Sequence, residues 1–325
     1  MKFASMFAAV GAIASVAALP ANQPRQACTN PEKKVEWRQM DAGDQKAYLD
    51  AVLSLKTKPS KIGLNSTLYD DFGNVHYHLN KWIHGGPSFL PWHRYFSYVY
   101  LKTLRDECGY TGPGPYWDWT LDNTALLKSP VMSSDLGFGG DGSTNRTETS
   151  ANGGVLKCVD SGPFAQLRPE WLQINPTTML GGGHCLYRGM PEVSEPDAFA
   201  AMSKVISPEY IDEMQTTGNW SEYRYLLEGG PHGTIHASLG GEMNPTTSPN
   251  EPLFFLHHPQ IDRLWWLWQQ QNTSRLTEYY GEQIHFGEEG TREVSLDDVL
   301  PMWGLAENIT IREIMDTTGR LCYTY

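Results

Sequence analysis

Residues 252–271 read PLFFLHHPQIDRLWWLWQQQ. Leu253, Phe254, Phe255 and Leu256 are followed by Ile261, Leu264, Trp265 and Trp268, a spacing that buries one broad face of a helix. His258 stands four residues before Asp262, so both lie on the same side of that helix. Two roles are open to such a carboxylate: it accepts the free ring N–H of a metal-bound imidazole, or it anchors the helix.

Histidines spread outward from this segment in an uneven way. Of ten, His232, His236, His257 and His258 form one cluster, and His76, His78, His84 and His93 form another. His184 and His285 stand apart. His232 and His236 are four residues apart and on a helix present two nitrogens to one metal. Gly233 follows His232 where a zinc protease carries its glutamate, so a zinc hydrolase would lack its general base. A third ligand is available from His257 or His258. In the other cluster, His93 falls in the first turn of a helix over 89–107, and His84 lies on the Gly-Gly-Pro loop before it. His76 and His78 are two residues apart and cannot share a helix face, so one of them points elsewhere. Six neutral nitrogen donors without thiolates or carboxylates suit copper, which they hold in both oxidation states.

The rest of the chain frames these clusters. Its 325 residues are 12% aromatic, with eleven tryptophans, which marks a globular protein with a large core. A formal net charge of -12 argues against nucleic acid or an anionic membrane as partner. Helical spacing recurs over 44–55, 89–107 and 222–239, the last with a helix start at Pro231. Stretches 128–154 and 168–196 read as long surface loops. Few segments alternate as strands do, and no internal repeat is present, so a mainly α single domain with large loops and little β-structure is expected.

At the N-terminus, Lys2 precedes an apolar run from Phe7 to Ala18 that ends in small residues, the pattern of a secretory signal over residues 1–18. No later run reaches the roughly 18 apolar residues of a membrane helix. Sequons at Asn65, Asn145, Asn219, Asn272 and Asn308 are glycosylation candidates in an exported protein. Of Cys28, Cys108, Cys158, Cys185 and Cys322, an oxidising compartment would pair four and leave one.

Three motifs now carry a resemblance. Phe89-Leu90-Pro91-Trp92-His93-Arg94, Pro115-Tyr116-Trp117-Asp118-Trp119, and Asp262-Arg263-Leu264-Trp265 after His257-His258 resemble the tyrosinase, catechol oxidase and molluscan haemocyanin superfamily, most of all short fungal polyphenol oxidases. The likeness runs from about Trp37 to Tyr325. It implies a four-helix bundle around a dicopper centre, with copper A on His76, His84 and His93 and copper B on His232, His236 and His258. His78, His184 and His257 would then lie outside the ligand set. Phe254 matches a phenylalanine packed beside copper B. Glu228 resembles a glutamate that, with an asparagine after the first copper B histidine, orients a water for monophenol deprotonation; here that asparagine is Gly233. Ala237, small, would leave the entrance open. Many fungal relatives join a cysteine two residues before the second copper A histidine to that ring, but this chain has Trp82 there, so packing must hold His84. Tyr323-Thr324-Tyr325 resembles the motif that closes the catalytic domain, implying a catalytic domain over 19–325 and no C-terminal shielding domain.

The resemblance implies a secreted oxidase that uses two coppers and O2 to convert o-diphenols to o-quinones, with o-aminophenols and, weakly, monophenols as further substrates. Its partners would be small phenolic compounds; the sequence says nothing of oligomeric state. Two other readings use the same histidines: a dedicated biosynthetic oxidase acting on one metabolite or peptide tyrosine, and an O2-binding protein without turnover. The second fits poorly with a single unit lacking repeats.

Overall fold

The computed structural model describes residues 28–325; the expected signal over 1–18 lies outside the described residues. Among the described residues the helices are α1 (Ala42–Ser54), α2 (Leu68–Ile83), α3 (Phe89–Cys108), α4 (Pro191–Ser194), α5 (Pro196–Val205), α6 (Pro208–Gln215), α7 (Trp220–Leu227), α8 (Gly233–Leu239) and α9 (Phe254–Gln270). About 46% of the residues are helical, so the mainly α expectation holds. Pro91 sits in the first turn of α3, where its missing N–H breaks no bond, and Gly109 ends the helix at φ 71°, a left-handed geometry that favours glycine. α1 begins two residues before the expected start because Asp41 caps it, its side chain accepting the Asp44 N–H.

α2 was not marked by the helical patterns. Asp70, Asp71, Gly73 and Asn74 in its first half look like turn residues, yet all four are buried. Asp70 closes a capping box with Thr67 and pairs with Lys56 at 2.8 Å, while Gly73 gives room to Asn250, whose Oδ1 lies 2.6 Å from where a Cβ would be. Tertiary partners override local propensity here.

The expected helix over 222–239 is divided. α7 ends at Leu227, Glu228–His232 form a turn that kinks at Gly230, whose φ of -90° and ψ of -106° are not helical, and α8 runs from Gly233. Helical backbone begins again at Pro231, the expected start, where a missing N–H breaks no bond. The two expected loops are not structureless either: Gly142–Thr149 pairs antiparallel with Val155–Val159, and Leu172–Asn175 with Thr178–Leu180. All pairings among the described residues are two-stranded.

α3 and α9 pack as the centre of the core, with Tyr100 stacked on Phe255 and Phe72 of α2 set edge-on to both. Asp262 joins them. Its Oδ1 accepts from Arg94 Nε at 2.5 Å, and its Oδ2 accepts from the Tyr325 hydroxyl at 2.6 Å and from Tyr323. Arg94 also donates to the Ile314 and Met315 carbonyls and lies over the Trp265 ring. Of the two roles open to Asp262, the anchor is the one realised: its hydrogen bonds go to Arg94 and the tyrosines. Glu32–Lys33 pairs in parallel with Tyr323–Thr324, and a disulfide joins Cys28 to Cys322. A second links Cys158 to Cys185, and Cys108 is the free cysteine.

Candidate dinuclear metal centre

His76 lies midway along α2, His84 follows its last turn, and His93 is in the second turn of α3. Each offers one ring nitrogen within 4.8 Å of the others. What aims them is the backbone. His76 Nδ1 lies 2.7 Å from the Thr246 carbonyl, His84 Nδ1 3.2 Å from that of Asn80, and His93 Nδ1 2.8 Å from that of Phe89. A carbonyl only accepts, so Nδ1 carries the proton and the Nε2 lone pair faces inward.

The second cluster follows the same rule. His232 Nδ1 lies 3.0 Å from the Glu228 carbonyl across the kinked turn, and His236 Nδ1 lies 2.6 Å from the Met243 carbonyl. Their Nε2 atoms are buried without a partner, as are both ring nitrogens of His258. The clusters meet where the His93 and His258 rings stack, centroids 4.5 Å apart and planes 13° from parallel. Burial first, then neighbouring imidazoles, lowers the pKa of His76, His93, His232 and His258 well below the ordinary histidine value. Burial likewise takes His84 and His236 down to about 4. All six rings are therefore neutral at ordinary pH, with lone pairs free for a metal.

Phe254 is fully buried and packs on both clusters, its centroid 4.0 Å from His258 and 5.4 Å from His76, so it is core and site wall at once. Gly233 opens α8 with helical angles, and an added Cβ there would meet nothing closer than the Glu228 carbonyl at 3.5 Å. Ala237 is exposed on the same helix. The Glu228 carboxylate accepts the Gly85 N–H at 2.6 Å and lies 3.6 Å from Arg224. Burial raises its pKa to about 7, against the lowering effect of those two partners. His184 pairs with Glu242, and His78 stacks on Trp303, both away from the clusters. His257, which the resemblance leaves outside the ligand set, has its ring among His232, His236 and His258.

Several supporting groups escaped the sequence. Gln283, from the segment after α9, accepts the Ser88 N–H at 2.8 Å and donates to the Ser88 hydroxyl and the Trp82 carbonyl. Together with Glu228 on Gly85, it holds the loop that carries His84. Gly86 lets it approach, since a Cβ there would lie 2.7 Å from the Gln283 amide carbon. Gln173 accepts the Thr246 N–H at 2.6 Å and so supports the carbonyl that aims His76. No motif announces a lone glutamine or a particular carbonyl. The five sequon asparagines are all exposed.

Two facing nests of neutral imidazoles on a helical scaffold define a dinuclear metalloprotein. Donors of nitrogen alone, with the Nε2 atoms of His232, His236 and His258 unpaired and those of His76 and His93 facing each other at 3.3 Å, fit copper. The family model described as the common central domain of tyrosinase matches residues 66–271. The tyrosinase-like protein phomQ2 of Diaporthe leptostromiformis is 39% identical over 92% of this chain and 74% of its own length. The N-acetyl-6-hydroxytryptophan oxidase ivoB of Emericella nidulans is 29% identical across the whole of both chains. A solved variant of the polyphenol oxidase from Thermothelomyces thermophila superposes with a TM-score of 0.73 at 28% identity, covering 91% of this chain and 88% of the other. The chain belongs to the tyrosinase family, copper oxidoreductases that bind two copper ions, use O2 and act on small phenols. Among the described residues no helix is long and apolar enough to cross a membrane.

Proposed function

We infer that the chain is a secreted type 3 dicopper oxidase that converts o-diphenols to o-quinones with O2, takes o-aminophenols by the same path and turns over monophenols weakly. The observation that carries this is the stacking of His93 on His258, which sets two imidazole nests face to face. His76, His84 and His93 are assigned to copper A, and His232, His236 and His258 to copper B. Bound copper supplies the electron exchange between phenol and O2.

The protein's own part is positioning and proton handling. Backbone carbonyls fix the tautomers of five rings, so little reorganisation is needed when a metal enters. Phe254 supplies an apolar wall for an aromatic substrate. Glu228, about half ionised near neutral pH, takes the phenolic proton. Orienting a water for a monophenol needs a second polar group beside Glu228, and Gly233 has no side chain to offer one. The test is a side-by-side assay of the copper-loaded protein on monophenols, catechols and aminophenols. Catechols and aminophenols should react at once, and monophenols only with a diphenol primer. Rapid unprimed monophenol turnover would overturn the Gly233 argument; two bound coppers with no quinone from any substrate would favour an O2-binding protein.

A relative named for one hydroxylated indole substrate favours a second reading, a dedicated oxidase of a single metabolite. A substrate panel separates the two: a broad oxidase accepts most catechols at similar rates, a dedicated one accepts a single member.

Secretion is supported by the two disulfides and the exposed sequons. The catalytic domain is assigned to 19–325, following a signal over 1–18. N-terminal sequencing of protein recovered from culture medium, and a mass shift on deglycosylation, test both points.

A further inference from the structure

His257 is a buried imidazole that the six-histidine arrangement leaves without a task. It is 0% exposed, and neither ring nitrogen has a hydrogen-bond partner. A neutral imidazole carries one donor and one lone pair, and leaving both unmet in an interior is costly. The cluster rings of His76, His84, His93, His232 and His236 each satisfy Nδ1 on a backbone carbonyl. Only His257 and His258 do not; both nitrogens of each await a partner.

The two rings also stand at matching range from the same pair. His257 has its centroid 5.6 Å from His232 and 5.2 Å from His236, while His258 has 5.1 Å and 5.7 Å. One nitrogen from each of the four rings lies within 4.8 Å of the others. What separates them is direction, since successive helix residues diverge by about 100°. His258 stacks on His93 of the first cluster, whereas His257 has Trp119 as its further neighbour, ring centroids 6.4 Å apart. The second nest thus holds four imidazoles for one ion, and the first holds three.

We propose that His257 is a reserve copper ligand. With His232 and His236 it completes an alternative three-imidazole set for copper B, and it yields the ion to His258 when the dicopper pair assembles. The exchange breaks one copper–nitrogen bond and forms another. Both imidazoles are neutral, so no proton or electron moves. The proposal rests on the dicopper reading above.

Phenylalanine keeps the ring volume and removes the donors, so the test uses His257→Phe, His258→Phe and the double variant, with thermal unfolding to confirm folding. Copper per chain is measured by metal analysis after loading and dialysis against a chelator of known affinity. Wild type and His257→Phe should retain two coppers. His258→Phe should also retain two, with affinity reduced no more than roughly tenfold, while catechol oxidation is lost. The double variant should retain one. A drop to one copper in His258→Phe alone overturns the reserve role. Fewer than two coppers in wild type would instead sink the dicopper reading itself. If a phenylalanine variant does not fold, the glutamine variants at the same positions give the same comparison.

Discussion

Gly233, directly after His232, brings no side chain to the neighbourhood of Glu228. Gly233 has helical angles and free space around its Cβ direction, so Gly233→Asn should fold normally. An amide beside Glu228 should raise the monophenol-to-diphenol rate ratio by at least about tenfold, the lower range of general-base effects; initial rates with and without primer measure it. Glu228, with its pKa raised to about 7, must lose its proton to act as a base, so the rate should climb as pH rises through neutrality. In Glu228→Gln that climb should vanish from the pH–rate profile. Spacing alone gave the two histidine clusters; the roles of Glu228 and Gly233, and the choices of His76 over His78 and His258 over His257, came through the family resemblance. The choice between His257 and His258 was not legible in the spacing, because only tertiary packing decides where each ring of a His-His pair comes to lie, and it brings both near His232 and His236.

At the level of elements, the site depends on a helix that breaks and a loop that is clamped. The kinked turn at Gly230 puts the Glu228 carbonyl against His232, and the helix start at Pro231 was its mark in the sequence. Apolar spacing does not show which way the chain bends at that kink. The loop with His84 is fixed from outside the histidine-bearing elements by Gln283, which lies beyond the residues matched by the family model. Gln283→Met keeps the shape but strips those hydrogen bonds. It should weaken one copper of the two by roughly ten- to a hundredfold, as loss of outer support does, and chelator competition should show the other copper unchanged. α9 was readable from its run of large apolar residues. α2 was not, because its acidic and glycine positions are explained only by Lys56 and Asn250 from distant parts of the chain.

Over the whole molecule, the two ends of the described chain converge on the α3–α9 core. Asp262 is buried, yet Arg94 and Lys34 nearby, with hydroxyl donors Tyr323 and Tyr325, hold its pKa below the usual carboxylate value against the opposing effect of burial. Its stabilising contribution is therefore present above the ordinary aspartate range and is lost as pH falls through and below it. Asp262→Ala leaves the Arg94 charge buried without its partner and should cost about 3–5 kcal/mol, read from denaturant unfolding. The Cys28–Cys322 disulfide spans 294 residues of sequence. Cys322→Ser should lower stability by about 2–4 kcal/mol without changing copper content. The pairing of these cysteines was beyond the sequence, since five thiols allow many partners and only the folded chain brings residues 28 and 322 together.

The segment from Met243 to Thr246 touches one ring of each nest: the first carbonyl aims His236, the last aims His76. A tilt of that short stretch would swing both imidazoles together, so the aim of one ring in each nest answers to a single mechanical part. Gln173 is the brace on that part. Tuning the reactivity of such a centre would then require no change to any ligand, only a stiffer or softer strut beneath two of them.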